Sequence, residues 1–237
     1  MSDTLALFLL ALRTCLDAVP VTIMLTLVSV SIGFFIALPL SVISLKNRSL
    51  LGRLTNGFVY FFTGTPLLVQ LYIFYYGIPS LEPVRELMQQ PGWEFLKSGY
   101  IWVLSALTLN TAAYSTVIFA GAIKNTDRGE VEAAMAYGMS SFQAMHRIII
   151  PSALRRALPA YSNEVIMSMH ATALASTVTI VEIAGAASYF NSTYYEPFIA
   201  YSAAAVLYLI LNTLLVVGFR QVEKKHLLHL KYRHGSN

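Results

Sequence analysis

DRGEVEAAMAYGMSSFQAMHRIIIPSALRRALP, residues 127–159, is the longest polar interruption in the second half of an otherwise apolar chain. Asp127 and Glu130 stand at the spacing of a capping box, so a helix is expected to start there. Glu132, Ala133, Ala134, Met135 and Ala136 are mostly good helix formers. Gly138 reads as the left-handed residue that ends the helix. Ser140 or Ser141 can cap a second short helix, which Pro151 is expected to end. The stretch therefore predicts helix, sharp turn, helix, lying outside the membrane between two spans.

Composition sets the surroundings of this hairpin. The chain has 237 residues, of which 56% are hydrophobic and 12% charged, and its mean hydropathy is +0.61. A soluble domain carries about 25% charged residues. An all-α, polytopic integral membrane protein is expected, and the length suits one domain. One cysteine, Cys15, excludes an internal disulfide and a cysteine-rich metal site. Arg13 spoils the faint lipidation pattern of Leu12-Arg13-Thr14-Cys15. No basic run precedes the apolar start, and Asp3 argues against a cleaved signal peptide.

A helical crossing needs about 20 apolar residues. Five candidates emerge at 19–45, 57–78, 99–123, 160–183 and 197–219, within a transmembrane region of 19–222. Pro20 suits an early helical position, and Gly33 and Pro39 can bend the first span. Residues 1–18 are too short, and too polar at Arg13 and Asp17, to span; they suit the interface. Lys46, Arg48, Arg53, Lys124, Arg128, Arg147, Arg155, Arg156, Arg220, Lys224, Lys225, Lys231 and Arg233 gather on one side of these spans. The other side holds Arg13, Arg85 and Lys97. The first side is therefore expected to be cytoplasmic, with the N-terminus outside, the C-terminus inside and the loop at 124–159 cytoplasmic. The net charge of +4 is explained by this topology and does not call for nucleic acid. The outer loop at 79–98, with Trp93, Tyr100 and Trp102, should join an aromatic belt. His226, His229 and His234 are too loosely spaced for a metal site, and residues 223–237 read as a solvated basic tail.

Several chemistries are missing. No phosphate-binding loop of the G-x-x-x-x-G-K-[ST] type occurs, nor H-E-x-x-H or paired C-x-x-C, nor a Ser/His/Asp set. If transport is ATP-driven, the ATPase must be another polypeptide, holding the ATP and magnesium. No cofactor is expected in this chain.

Polar groups inside the spans mark a candidate solute path. Phe62-Thr63-Gly64-Thr65-Pro66 interrupts the second span, and the freed backbone groups need protein or a water-lined cavity. Thr65 and Gln70 either hydrogen-bond across helices or line the path. Asn110 in the third span reads as packing glue or a ligand contact. In the fourth span, at roughly 100° per residue, Glu164, Ser168, Thr172, Ser176 and Thr179 fall within about 120° of arc, a polar stripe expected to face a cavity or a partner. Glu164 could offer a carboxylate to a guanidinium or ammonium group, or anchor structure. Asn163 and His170 share a different face, and His170 reads as an interior histidine or a substrate contact.

Glu132-Ala133-Ala134, three residues, Gly138, nine residues, then Ile148-x-Ile150-Pro151 resembles the EAA loop of ABC-importer permeases, with Ile150 where the family usually has Leu. Thr63-Gly64-Thr65-Pro66-Leu67-Leu68-Val69-Gln70, Leu109 to Tyr114 and Ser162-Asn163-Glu164-Val165 resemble signatures of the polar amino-acid uptake subfamily, most like its M-type arginine and histidine permeases. The resemblance implies the type I importer fold, with five spans and a first helix that reaches a homologous Q-type permease. It also implies two ATP-binding subunits and a periplasmic amino-acid-binding protein, in the inner membrane. Glu132, Ala133, Ala134, Gly138, Met139 and Ser140 would then form the coupling segment that sits in a groove of the ATPase, the alanines permitting close backbone approach. The rival is a proton-coupled secondary transporter using Glu164 and His170 as a relay. Its inverted repeats are not seen.

Overall fold

The computed structural model describes residues 2–46 and 48–231, with side chains described for 3–46 and 48–225. Lys231 lacks a described side chain, and Arg233 and His234 lie outside the described residues, as do the side chains of His226 and His229. Among the described residues every regular element is helical. In chain order they are α1 (Ser2–Asp17), α2 (Val19–Ser44), α3 (Leu50–Gly64), α4 (Leu67–Tyr72), α5 (Ile78–Ser80), α6 (Glu82–Gln89) and α7 (Gly99–Lys124). They continue as α8 (Arg128–Ala136), α9 (Ser141–Ala144), α10 (Ile150–Ala171), α11 (Ile183–Tyr194) and α12 (Pro197–Lys231). Short π turns bridge α4 to α5 and α9 to α10, and a 3₁₀ segment, Thr172–Val178, follows α10.

Three stretches are long and apolar enough to cross a membrane alone: Asp3–Ser44, Gly99–Lys124 and Pro197–Lys225. Two more qualify only as bent pairs. Leu50–Gly64 and Leu67–Ser80 meet at 106°, and Ser141–Val178 and Ile183–Tyr194 at 44°. Counting each pair once makes five, as expected from the sequence. The second is not the simply interrupted rod expected over 57–78. It starts at Leu50, capped by Ser49 Oγ on Gly52 N at 3.0 Å, and turns sharply at Gly64–Pro66. Pro66 supplies no N–H, and the residue before it is pushed out of the helical region: Thr65 has φ −111°, ψ 145°.

The start of the chain is helical as well. The described part forms α1, continuous with α2 over the 42 residues of Asp3–Ser44. Arg13 and Asp17 are exposed while Ala11, Cys15 and Ala18 are buried against α11 and α12 of the same chain. Lipid is as apolar as leucine, so this docking gains from close packing of small side chains rather than escape from water. Ala186, Ala187, Ala200 and Ala203 supply the facing surface.

Helix α7 is the central post. It packs most extensively on α2, and also on α10 and α3. A Cβ at Gly33 of α2 would collide with Thr111 Cγ2, so glycine sets the approach of these two helices. Pro20 sits in the first turn of α2, and Pro39 lies inside it without ending it. Helix α12 runs past residue 222 without a break, so the expected tail begins as a helical extension.

Candidate functional site

The hairpin at 127–159 is built as its residues dictate up to Gln143. Asp127 accepts from Gly129 N at 2.9 Å and caps α8, but the reciprocal bond of a capping box does not form, because Glu130 turns its Oε1 toward Arg156 instead. Gly138 has φ +74°, a conformation that costs glycine little. Met139 N donates to Ala134 O at 3.1 Å and Gly138 N to Met135 O at 2.9 Å, the paired bonds of a Schellman stop. Ser140 and Gln143 then complete a reciprocal capping box on α9. Pro151 does not end this helix. The π turn Met145–Ile149 carries the chain directly into α10, with Pro151 in its first turn, where the missing N–H is tolerated.

Glu132, Ala133, Gly138 and Ser140 are exposed and Met139 is half-buried. Ala134 is only 4% exposed. It cannot offer its surface to another subunit, as its motif position implied. Its small side chain instead lets α8 close on the segment after Gly138, where Ala144 is also buried. The outer surface presents Met135, Tyr137 and Phe142 at 46%, 85% and 71% exposure. Large apolar groups clustered outside the spans mark a surface that another protein covers.

Thr65, Gln70 and Asn110 come together as a lock on the break in the second span. Gln70 is buried, and its Nε2 donates to Phe62 O at 2.8 Å, Thr65 O at 3.0 Å and Thr65 Oγ1 at 2.9 Å. Asn110 Nδ2 donates to Gln70 Oε1 at 3.0 Å. These groups satisfy backbone carbonyls that the bend releases.

The polar stripe of the fourth span divides. Glu164 is half-buried, and its Oε1 accepts from Thr111 Oγ1 at 2.9 Å. Ser168 and Thr172 are buried among helices, and Thr172 Oγ1 returns to Met169 O at 2.7 Å. From Thr172 the chain is 3₁₀, with three residues per turn, so the projected angles for Ser176 and Thr179 no longer hold. Ser176 bonds Ala173 O at 2.7 Å, and Thr179 meets Tyr75 Oη at 2.6 Å. The open face of α10 is the other one. Asn163, Met167 and His170 are all exposed at helical spacing, and neither Asn163 nor His170 has a hydrogen-bond partner among the described residues. His170 is therefore not enclosed by its own chain, and it does not share a face with Glu164.

An apolar, bent-span helical unit with a capped surface hairpin does not name its own role, and comparison with known proteins supplies it. Residues 29–226 match the binding-protein-dependent transport system inner membrane component family. The chain belongs to that family. The permease is 47% identical over 217 residues to the histidine/lysine/arginine/ornithine transport system permease protein HisM of Escherichia coli (strain K12), covering 90% of this chain and 89% of HisM. It is 39% identical over 198 residues to the nopaline transport system permease protein NocM of Agrobacterium fabrum, covering 83% and 81%. A crystal structure of an amino acid ABC transporter with histidines superposes with a TM-score of 0.76 at 26% identity, covering 90% and 94%. The methionine transporter MetNI in an inward-facing form shares the fold alone, with a TM-score of 0.71 at 19% identity. The permease is a multi-pass inner-membrane protein of the type I ABC importer fold, and ATP hydrolysis belongs to a separate subunit.

One residue of the permease escaped sequence reasoning. Glu182 is fully buried between the 3₁₀ segment and α11. Its Oε1 accepts from Gly185 N at 2.8 Å and its Oε2 from Tyr208 Oη at 2.5 Å. Ile183 N donates to Thr22 Oγ1 at 3.3 Å beside it. The carboxylate caps α11 and ties α11 to α12, next to a contact with α2. An acid inside an apolar run, three residues before a glycine, was the available signal.

Proposed function

We propose that this permease translocates a basic or polar amino acid, arginine foremost, with histidine, lysine, ornithine or an opine as further candidates, delivered by a periplasmic binding protein. The observation that carries the reading is the capped α8–α9 hairpin with Tyr137 and Phe142 held in the open, a surface suited to a groove on an ATPase. Glu132, Ala133, Gly138, Met139 and Ser140 belong to that docking segment, and Ala134 supports it from within. The Lys and Arg distribution supports an external N-terminus and a cytoplasmic hairpin. The assembly is a heterodimer with a Q-type sister permease, two ATP-binding subunits that hold ATP and Mg²⁺, and the binding protein. ATP-driven closure of the ATPase pair draws the two hairpins together and opens the permease pair outward.

The half-buried Glu164 carboxylate supports a cationic substrate, since one oxygen has no hydrogen-bond partner among the described residues. Asn163 and His170 on the open face of α10 are further pathway contacts. A proton relay from Glu164 to His170 is disfavoured because the two occupy different faces of one helix. Purification of the complex, identification of its co-purifying chains and uptake into vesicles with a panel of amino acids test the reading. Uptake should require ATP and be competed by arginine. Uptake that survives ATP depletion and collapses with an uncoupler would overturn it.

A further inference from the structure

We propose that Arg156 and Glu130 form the joint through which the α8–α9 hairpin drives α10. The inference rests on the importer reading. Helix α8 packs mainly on α9 and on the π turn, not on α10 itself. The polar link across that gap is Arg156, near the start of α10. Its Nη2 donates to Thr126 Oγ1 at 2.8 Å, in the loop that enters α8, and its Nη1 donates to Ser152 Oγ at 2.6 Å, one turn back on α10. The same Nη1 stands 3.5 Å from Glu130 Oε1 of α8. One guanidinium thus holds the coupling helix, its entry loop and the foot of α10.

The joint is made but not saturated. A charge-assisted hydrogen bond closes to about 2.8 Å, and this pair is longer than that. Arg156 Nε and Glu130 Oε2 are buried and have no hydrogen-bond partner among the described residues. Both partners thus keep spare hydrogen-bonding capacity, so a shift of α8 that shortens the pair gains bonds that the present arrangement lacks. Helix α8 also has open space on one side. A cavity of about 470 Å³, lined in part by Ile123, Thr126, Val131 and Met145, lies between α8 and the ends of α2 and α7. Two arrangements that differ in the contacts of one ion pair are what a switch element requires. Arg156 lies two turns from Asn163 and Glu164 on the same helix, about 10 to 12 Å by the helical rise. A push at the hairpin therefore reaches the candidate solute path along one continuous helix, with Pro159 between the two points. Arg156 is a positioning residue and touches no solute.

The test uses the complete complex in proteoliposomes, with ATP hydrolysis and amino-acid uptake measured together. Arg156→Ala and Glu130→Ala should each lower the amount transported per ATP hydrolysed by about threefold or more, and the double variant should be no worse than either single one. A merely structural role would reduce the amount of assembled complex and leave that ratio alone. An unchanged ratio, or losses that multiply in the double variant, overturns the proposal. Where the alanine variants do not assemble, Glu130→Gln keeps the shape and decides in the same way: a lowered ratio supports the joint, a wild-type ratio overturns it. ATP-independent uptake by the wild-type complex would instead overturn the importer reading.

Discussion

Tyr208 of α12 donates its hydroxyl to Glu182 Oε2 across the boundary with α11, at 2.5 Å, and the carboxylate is fully buried. Few arrangements in the fold concentrate so much on one acid. The same group caps α11 and closes the second break in the chain, so it holds a bend that the bilayer would not otherwise tolerate.

Tyr208→Phe should cost about 1–3 kcal/mol, the penalty of leaving a buried acceptor without its donor. A lowered thermal midpoint of the purified complex, with uptake per assembled complex preserved, checks it. An unchanged midpoint would show that the hydroxyl contributes nothing.

Gln70→Ala should be more damaging. It removes an amide whose two N–H groups are shared among three acceptors, and it leaves Asn110 Nδ2 without its side-chain partner. A loss of roughly 2 kcal/mol follows from leaving Thr65 O without its donor and Phe62 O with only the 3.3 Å bond from Asn110 at the 106° bend. Heightened protease sensitivity near Gly64 and a lowered thermal midpoint are the readouts. Wild-type behaviour would return Gln70 to the solute path.

Glu164→Gln separates ligand from anchor. The amide can still accept from Thr111 but carries no charge. Uptake of arginine and lysine should fall several-fold more than uptake of a neutral amino acid, measured in the same vesicles. Equal loss for both classes assigns Glu164 to structure.

Local chemistry was legible where it is short-range. The Asp127 cap, the Gly138 stop and the Ser140 cap all follow from residues within a few positions of one another. The number of spans was legible from apolar run lengths. What the sequence did not show depends on partners far along the chain. Ala134 looks free in a motif but is covered by the segment after Gly138. Ser176 and Thr179 lie on a helical projection that ends where the chain tightens into 3₁₀ at Thr172. Pro151 signals a stop, yet the π turn before it absorbs the missing bond. Glu182 shows in the sequence only as an acid in an apolar run, because its donor, Tyr208, comes 26 residues later on another helix.

Glu132→Lys reverses a charge on the exposed face of α8. The variant should insert and fold normally, while uptake falls and ATP hydrolysis no longer tracks substrate delivery. Normal uptake with normal stimulation of hydrolysis by the loaded binding protein would contradict a coupling role for this face.

The most direct measurement is ATPase retention on affinity-purified permease carrying Tyr137→Asp with Phe142→Asp. Both side chains are exposed, so the fold should survive the change. Wild-type permease should bring down its nucleotide-hydrolysing subunit in fixed proportion, and the variant should reach the membrane at wild-type levels yet lose that subunit. Full retention by the variant would contradict the docking role of the hairpin, and a wild-type complex without any ATPase would contradict it more directly still.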